Sequence, residues 1–449
     1  MGGAHISDDA SSPATAPAPL SIPPPKLSPG VASSSSSPPP PSSPRSSIGS
    51  SSTAPSFADQ LDISIISALA TNVRQRTTGE THLCTTNPSY EVGSRNVVWF
   101  IAFDDGQEWV LRVPILKWCS LLEERMKSDL LAVNLIRKGT TIPIPEVHDY
   151  SVTTDNSIGR PYILLSRARG KQLAKLWFDP EWFTDEKRRN VFRSLAKNLL
   201  QFKSLEFPAI GELCQGDEVD SITIAPLLPS LDEIDRQAGP ESLRTFTGPY
   251  NSTHTYLLGE IDKCLSKAYD KYERGSLALL RLFASSIPNP KFDGPPFVLT
   301  LPDFNYHNIF VDDEGNVTDF IDWDETTTLP RELGYARYPS WITRDWDPSL
   351  YAYHFPAEQE DSPETLQEFR DEYLAIVAEL DPESAELTKT SHVMEAIGIA
   401  ISTSFLRGNI LSKLREYLFG NNNDFGSILE EQVHKGEWIR TLPQQVSGM

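Results

Sequence analysis

The chain has 449 residues, a length that accommodates about two or three domains, and carries 61 Asp and Glu against 40 Lys and Arg for a net charge of −21. That balance argues against a nucleic-acid partner, whose phosphate backbone calls for a basic surface. Its plain meaning is solubility, and its functional meaning is attraction of a cationic small molecule. No apolar run reaches bilayer-spanning length, and Cys84, Cys119, Cys214 and Cys264 form neither a metal-type pair nor a dense disulfide pattern, so a cytoplasmic setting is expected.

Residues 1–57 are dominated by serine and proline, with Ser33 to Ser37 running into Pro38 to Pro41. Such a segment buries too little to offset its ordering entropy and is predicted disordered. Asp8 and Asp9 and the lack of an apolar stretch argue against a signal peptide, and Ile6 breaks the myristoylation pattern that Gly2 would begin.

Folded sequence begins near Phe57, with a helix predicted over 59–76. Val97 to Phe103, the turn at Asp104-Asp105-Gly106, and Gln107 to Val113 read as a β-hairpin. Residues 119–138 repeat with helical period, placing Leu122, Met126, Val133 and Ile136 on one face. Pro143 and Pro145 end that unit, and Tyr162 to Leu165 adds a strand to the same sheet. The block 58–165 is thus a small sheet with one helix. Gly93 and Ser94 precede the hairpin, where a glycine lets the backbone approach phosphate oxygens. Arg112 stands in the apolar strand Trp109 to Pro114, a setting that demands a carboxylate or a ligand phosphate. Asp129 falls on the apolar stripe of the helix, where an unpaired charge is expensive, so an Arg112–Asp129 ion pair is predicted.

The rest, 166–449, is mostly helical: stripes at Val191, Leu195, Leu199 and Phe202 and at Leu257, Ile261, Leu265 and Ala268, then segments 275–286, 364–381 and 389–418. A polar hairpin at 300–325 interrupts this block. Ile309 to Val311 and Val317 to Ile321 are its strands, joined through Gly315. If Asp312 faces Val317, Asn308 lies opposite Ile321 and beside Asp322, with Asp303 in the preceding loop. These are oxygen ligands of the kind that hold Mg²⁺ together with phosphates. Trp323, Trp341 and Trp346, with Asp345 and Asp347, read either as core or as an aromatic, acidic pocket for an ammonium group.

The run Asp303-x4-Asn308, hairpin, Ile321-Asp322-Trp323-Asp324 resembles the catalytic segment of the aminoglycoside phosphotransferase and choline kinase group of protein-kinase-like enzymes, especially its fungal branch. The resemblance implies an α+β bilobal kinase-like fold, a β-rich small lobe and a larger helical lobe, and transfer of the γ-phosphate of ATP to a small-molecule hydroxyl. It assigns Asp303 as base, Asn308 and Asp322 to magnesium, and Gly93 and Ser94 to the phosphate loop. It further assigns Arg112 and Asp129 to the ion pair that orients ATP, and the backbone near Ser166 and Ala168 to the adenine. Two positions depart from the pattern. Leu301 stands where the family has a histidine, and Arg112 where it has a lysine. Both keep open an alternative, a catalytically impaired relative that binds a nucleotide or a partner as a regulatory module.

Overall fold

Alternating burial along residues 96–114 builds the first strands of a sheet, and helical periods on either side supply its cover. In this computed structural model, residues 56–218, 221–236, 246–346 and 360–419 are described. The serine- and proline-rich tail, all but its last two residues, lies outside them. The helix predicted over 59–76 is two, α1 (Ser56–Gln60) and α2 (Ile63–Thr78). The break falls at Asp62, whose carboxylate accepts from the Ser64 N–H at 2.8 Å and caps α2.

The small lobe is a five-stranded sheet in the order β1-β2-β3-β5-β4, all neighbours antiparallel. Its strands are β1 (Cys84–Val92), β2 (Asn96–Phe103), β3 (Glu108–Pro114), β4 (Val147–Ser151) and β5 (Tyr162–Ser166). The two edge strands had no clear signature in the sequence. β1 carries Pro88 and a register shift between Thr86 and Tyr90 that destroys its alternation, and β4 is half-exposed. Ile66, Ala70 and Val73 of α2 pack on Val97, Trp99, Leu111 and Val113. Helix α3 (Ser120–Gly139) spans both lobes, because Ala132 and Ile136 belong to the large-lobe core.

The large lobe begins with β6 (Lys171–Gln172), α4 (Asp185–Leu199) and β7 (Glu206–Phe207). An insertion follows, the ribbon β8 (Glu212–Gln215) and β9 (Ile222–Ala225) and the short α5 (Leu231–Arg236), whose Leu231 and Ile234 pack on Leu122 and Met126 of α3. Next come α6 (Thr253–Lys267), α7 (Lys271–Ala284), β10 (Phe297–Leu299), β11 (Ile309–Val311), β12 (Val317–Phe320) and β13 (Thr328–Leu329). The last helices are α8 (Pro363–Leu380), α9 (Pro382–Ser402) and α10 (Ser404–Phe419), so the helix predicted over 389–418 is divided. Three hydroxyl residues, Ser402 to Ser404, mark the break, with the Ser402 hydroxyl turned back onto the Ile399 carbonyl at 3.2 Å.

The tryptophans do not gather into one pocket. Trp341 is core, edge-on to Trp177 at 5.5 Å, while Trp323 meets Phe202 and Trp346 meets His392. Asp345 is spent on a two-pronged pair with Arg370, and Asp347 lies outside the described residues. Among the described residues they therefore share no common pocket, and Trp341 serves the core.

Candidate active site

The loop between β10 and β11 turns tightly on its own backbone. The Asn305 N–H donates to the Asp303 carbonyl and the Asn308 N–H to the Asn305 carbonyl, both at 2.9 Å. Within this turn the Asn308 amide nitrogen donates to Asp303 twice, to Oδ2 at 2.9 Å and to the carbonyl at 3.1 Å. The Asn308 carbonyl accepts from the Ile321 N–H at 2.9 Å across the hairpin, which sets Asn308 beside Asp322. Pairings Ile309–Phe320 and Phe310–Asp319 agree with the register counted from the sequence; nearer the turn Val311 pairs with Val317, leaving Thr318 as a bulge. At the bulge the Thr318 hydroxyl donates to the Arg169 carbonyl, and the Thr318 carbonyl accepts from the Arg169 guanidinium at 2.9 Å. Asp322 adopts φ +65°, a left-handed conformation uncommon outside glycine and tolerated by aspartate.

Leu301 is buried, and its side chain joins the large-lobe core. The loop is braced by residues the sequence reading passed over. Arg337 donates to the Leu301 carbonyl at 2.9 Å and is itself held by Glu395 at 2.6 Å. Ser340 donates to the Phe304 carbonyl through both its N–H, at 3.0 Å, and its hydroxyl, at 2.7 Å. The available signal was Arg337 alone among Tyr335, Ala336 and Tyr338, a charge in an otherwise apolar run.

Arg112 corrects the predicted pairing. Its guanidinium crosses to the large lobe, bonding Asp324 with two prongs at 3.0 and 2.9 Å and also bonding Asp322 Oδ1. Asp129 is not its ion-pair partner. Asp129 is one methylene shorter than a glutamate, and its Oδ1 instead accepts from the Thr326 N–H at 3.2 Å. Burial pushes the Asp129 carboxyl well above the usual carboxylate range, with nearby Arg125 only partly opposing. Arg125 is in turn paired with Glu212 of β8 at 2.8 Å, which ties α3 to the insertion. For Arg112 itself, burial pulls the guanidinium down, but Asp324 and Asp322 outweigh it and raise its proton affinity further.

Gly93 and Ser94 form the turn between β1 and β2, closed by the Gly93 N–H on the Asn96 carbonyl at 2.9 Å. The turn is fastened across the cleft, since Asn96 donates to Asp324 at 3.1 Å while Arg95 pairs with Asp232 at 3.2 Å and Glu325 at 3.6 Å. Ser94, Arg112, Asp129 and Asp324 line one cavity of about 540 Å³, bounded on the far side by α5. A cavity of about 780 Å³ beside α3, against the β8–β9 ribbon, carries none of the catalytic, metal or nucleotide candidates named from the sequence.

Ser166 and Ala168 lie where the sheet ends and the chain passes between lobes. The Ser166 N–H is taken by the Glu146 carbonyl at 2.8 Å and the Arg167 N–H by that of Glu108 at 2.9 Å. Asp319, fully buried in β12, accepts from the Arg169 N–H at 2.8 Å and from its Nε at 3.0 Å. Gly170 has φ +83° and a Cβ there would meet the Val311 carbonyl oxygen at 2.4 Å, so only glycine permits this close crossing. The interlobe segment is thereby pinned to the hairpin that carries Asn308 and Asp322.

The Asp303 carboxylate opens to solvent on one side. Crowding by protein on the other raises its pKa above the ordinary range, the neighbouring Asp322 charge adds to this, and the Asn308 bond opposes it. The donor set suits a hard divalent cation. Asn308 turns its nitrogen toward Asp303, which leaves its carboxamide oxygen free of that bond, and the backbone link to Ile321 brings Asp322 next in the facing strand's continuation.

A sequence profile described as the phosphotransferase enzyme family matches residues 89–370. A subtelomeric hrmA-associated cluster protein of Aspergillus fumigatus is 23% identical over 313 residues, 56% of this chain and 60% of that protein. The mitochondrial protein called altered inheritance of mitochondria protein 9, from Clavispora lusitaniae, is 22% identical over 326 residues, 61% of this chain and 53% of its own length. The chain thus spans about 60% or less of these curated relatives. Among solved structures, amicoumacin kinase hAmiN in complex with AMP-PNP, Ca²⁺ and Ami is similar at a TM-score of 0.40 and 12% identity, covering 76% of this chain and 91% of that one. A sheet-rich small lobe and a larger helical lobe are present, in the order expected from the resemblance.

Proposed function

The chain belongs to the phosphotransferase enzyme family, and we propose that it moves the γ-phosphate of Mg·ATP to the hydroxyl of a small molecule. The observation that carries the reading is the joining of Asp303 to Asn308 by their side chains, with Asp322 set beside Asn308 by the hairpin ladder. Phosphoryl transfer asks a protein mainly for positioning and charge compensation, which these residues are placed to give.

Asn308 and Asp322 would hold the magnesium ion, whose chemistry when bound is to neutralise charge on the triphosphate. Arg112 contributes a second cation for the phosphates. Asp303 orients the acceptor hydroxyl and takes its proton, a task favoured by a carboxylate pKa above the ordinary range. The Gly93 N–H closes its own turn on Asn96, so the N–H offered to the phosphates is that of Ser94. At the interlobe segment the N–H groups of Ser166 and Arg167 serve the sheet, so adenine recognition falls to the Ala168 N–H and the adjoining carbonyls. A cytoplasmic site of action is part of the same proposal.

The alternative, a nucleotide-binding regulatory module with weak turnover, is favoured by one observation: Arg112 bonds the metal carboxylate Asp322 directly. The test is a thermal-shift titration with ATP and Mg²⁺ followed by ATP turnover across amino alcohols, aminosugars and ketosamines. Stabilisation by ATP with turnover on an acceptor, the turnover lost in Asp322→Asn, is the expected result. Binding without turnover on any acceptor moves the conclusion to the regulatory module, and no binding refutes both.

A further inference from the structure

We propose that Arg112 is a resident counter-cation that competes with the divalent metal for Asp322, so that the nucleotide has to draw the guanidinium off before the metal site is complete. The inference rests on the reading of Asn308 and Asp322 as metal ligands and adds to it an order and a coupling between nucleotide and metal.

Three contacts carry it. The guanidinium bonds Asp322 Oδ1, one of the oxygens a metal would use. It is held there by both prongs on Asp324, at 3.0 and 2.9 Å. Asp324 is itself fixed to the phosphate turn by Asn96 at 3.1 Å. Two carboxylates gathered about one positive group reproduce the charge pattern of a metal site, and an oxygen engaged by a guanidinium is a poorer ligand to a second cation beside it. The side chain is suited to this role because its planar fork reaches both carboxylates at once, whereas a lysine offers a single point charge. The same fork binds phosphate oxygens strongly. A triphosphate entering beneath the Ser94 turn is therefore the natural competitor for Arg112, and its arrival frees Asp322. Linkage makes the effect reciprocal, since a ligand that removes the guanidinium from Asp322 raises metal affinity. Binding of nucleotide without metal follows, because Arg112 supplies a positive charge that needs no metal.

The experiment uses the full chain and two readouts other than turnover. Free Mn²⁺ is followed by electron paramagnetic resonance, without nucleotide, in wild type, Arg112→Lys and Arg112→Gln, each checked for folding by near-ultraviolet circular dichroism. The expected result is Mn²⁺ binding about 10- to 100-fold tighter in Arg112→Gln than in wild type, the scale on which outer partners tune metal affinity, with Arg112→Lys between them. Equal Mn²⁺ affinity in all three overturns the proposal while leaving the metal site intact. Absence of Mn²⁺ binding in every protein, even with a non-hydrolysable ATP analogue present, overturns the metal assignment of Asn308 and Asp322 itself. Wild type alone supplies the second readout, which stands even if the variants fail to fold. In excess EDTA it should still bind the ATP analogue by calorimetry, and binding that requires a divalent metal overturns the proposal.

Discussion

Arg112 of the small lobe and Asp324 of the large lobe face each other as a two-pronged ion pair, Nη1 to Oδ1 at 3.0 Å and Nη2 to Oδ2 at 2.9 Å. The pair is largely sheltered, with 16% and 23% of the two side chains exposed. It is the bond by which strand β3 grips the segment after the hairpin, and Asn96 adds a second grip on the same carboxylate. An ion pair with this geometry and shelter behaves differently from a surface pair, whose worth salt and side-chain entropy erode. A double-mutant cycle of Arg112→Met and Asp324→Ala, followed by urea unfolding, should return a coupling of about 1–3 kcal/mol. A coupling near zero would mean that the lobes are held by other contacts, the packing of α3 and the Arg95–Glu325 pair among them.

Asp303 gives the proposed chemistry a pH signature. Its pKa is raised, by burial first and the Asp322 charge second, and a base works only when deprotonated. As pH falls through that raised value, turnover should decline, and the decline should begin at a higher pH than an ordinary exposed aspartate would give. Asp303→Asn removes the proton acceptor and should cost roughly 10²- to 10⁴-fold in kcat, and the residual rate should lose that acid limb. The check is a pH–rate profile of both proteins on any acceptor that turns over.

Asp129 makes a prediction about stability rather than rate. Burial raises its carboxyl well above the value it has in the unfolded chain. The native state therefore holds a proton that the unfolded state releases, so stability falls as pH rises above the unfolded pKa, and the penalty is fully present only above the folded one. Asp129→Asn supplies a permanent neutral isostere whose oxygen can still accept from the Thr326 N–H. It should raise the melting temperature at pH 7, where the unfolded chain's carboxyl is ionised and the native one is held toward its neutral form by burial. The gain should shrink toward nothing near pH 4, below which both carboxyls are protonated. A gain that is independent of pH would assign the effect to packing instead.

What the sequence made legible follows from how far each signal reaches. The hairpin at Asn308 and Asp322 was readable because alternation and a glycine turn fix a register locally, and β11 and β12 keep it where it matters. The partner of Arg112 was not readable, because an arginine in an apolar strand announces a need for negative charge without saying which of several carboxylates is in reach. Asp129 stood on the inward face as counted, yet Asp322 and Asp324 won, and only the crossing of the lobes decides that. Strand β1 escaped because an edge strand has one unpaired side and can carry Pro88 and a bulge that erase the pattern. The bracing of the loop that carries Asp303 escaped for a related reason. Its donors, Arg337 and Ser340, are more than thirty residues away and act on backbone carbonyls, which leave no mark on the residues they hold.

That bracing yields the last prediction. Leu301 fills core space, and the polar support for the loop comes instead from Arg337, which reaches the Leu301 carbonyl while paired to Glu395. Arg337→Gln breaks the sheltered pair and strands a carboxylate, which should destabilise by about 3 kcal/mol. Arg337→Gln combined with Glu395→Gln removes both charges and should recover most of that loss, because a pair replaced on both sides costs far less than one left unpaired. Catalysis should not recover with stability, since the Leu301 carbonyl still lacks the arginine that positions the loop two residues before Asp303. A residual deficit of roughly ten- to a hundredfold in kcat, with little change in KM for ATP, is expected from a displaced loop. Urea unfolding and steady-state turnover on the same three proteins separate the two effects, and a double variant with full activity would show that Arg337 holds the fold and not the base.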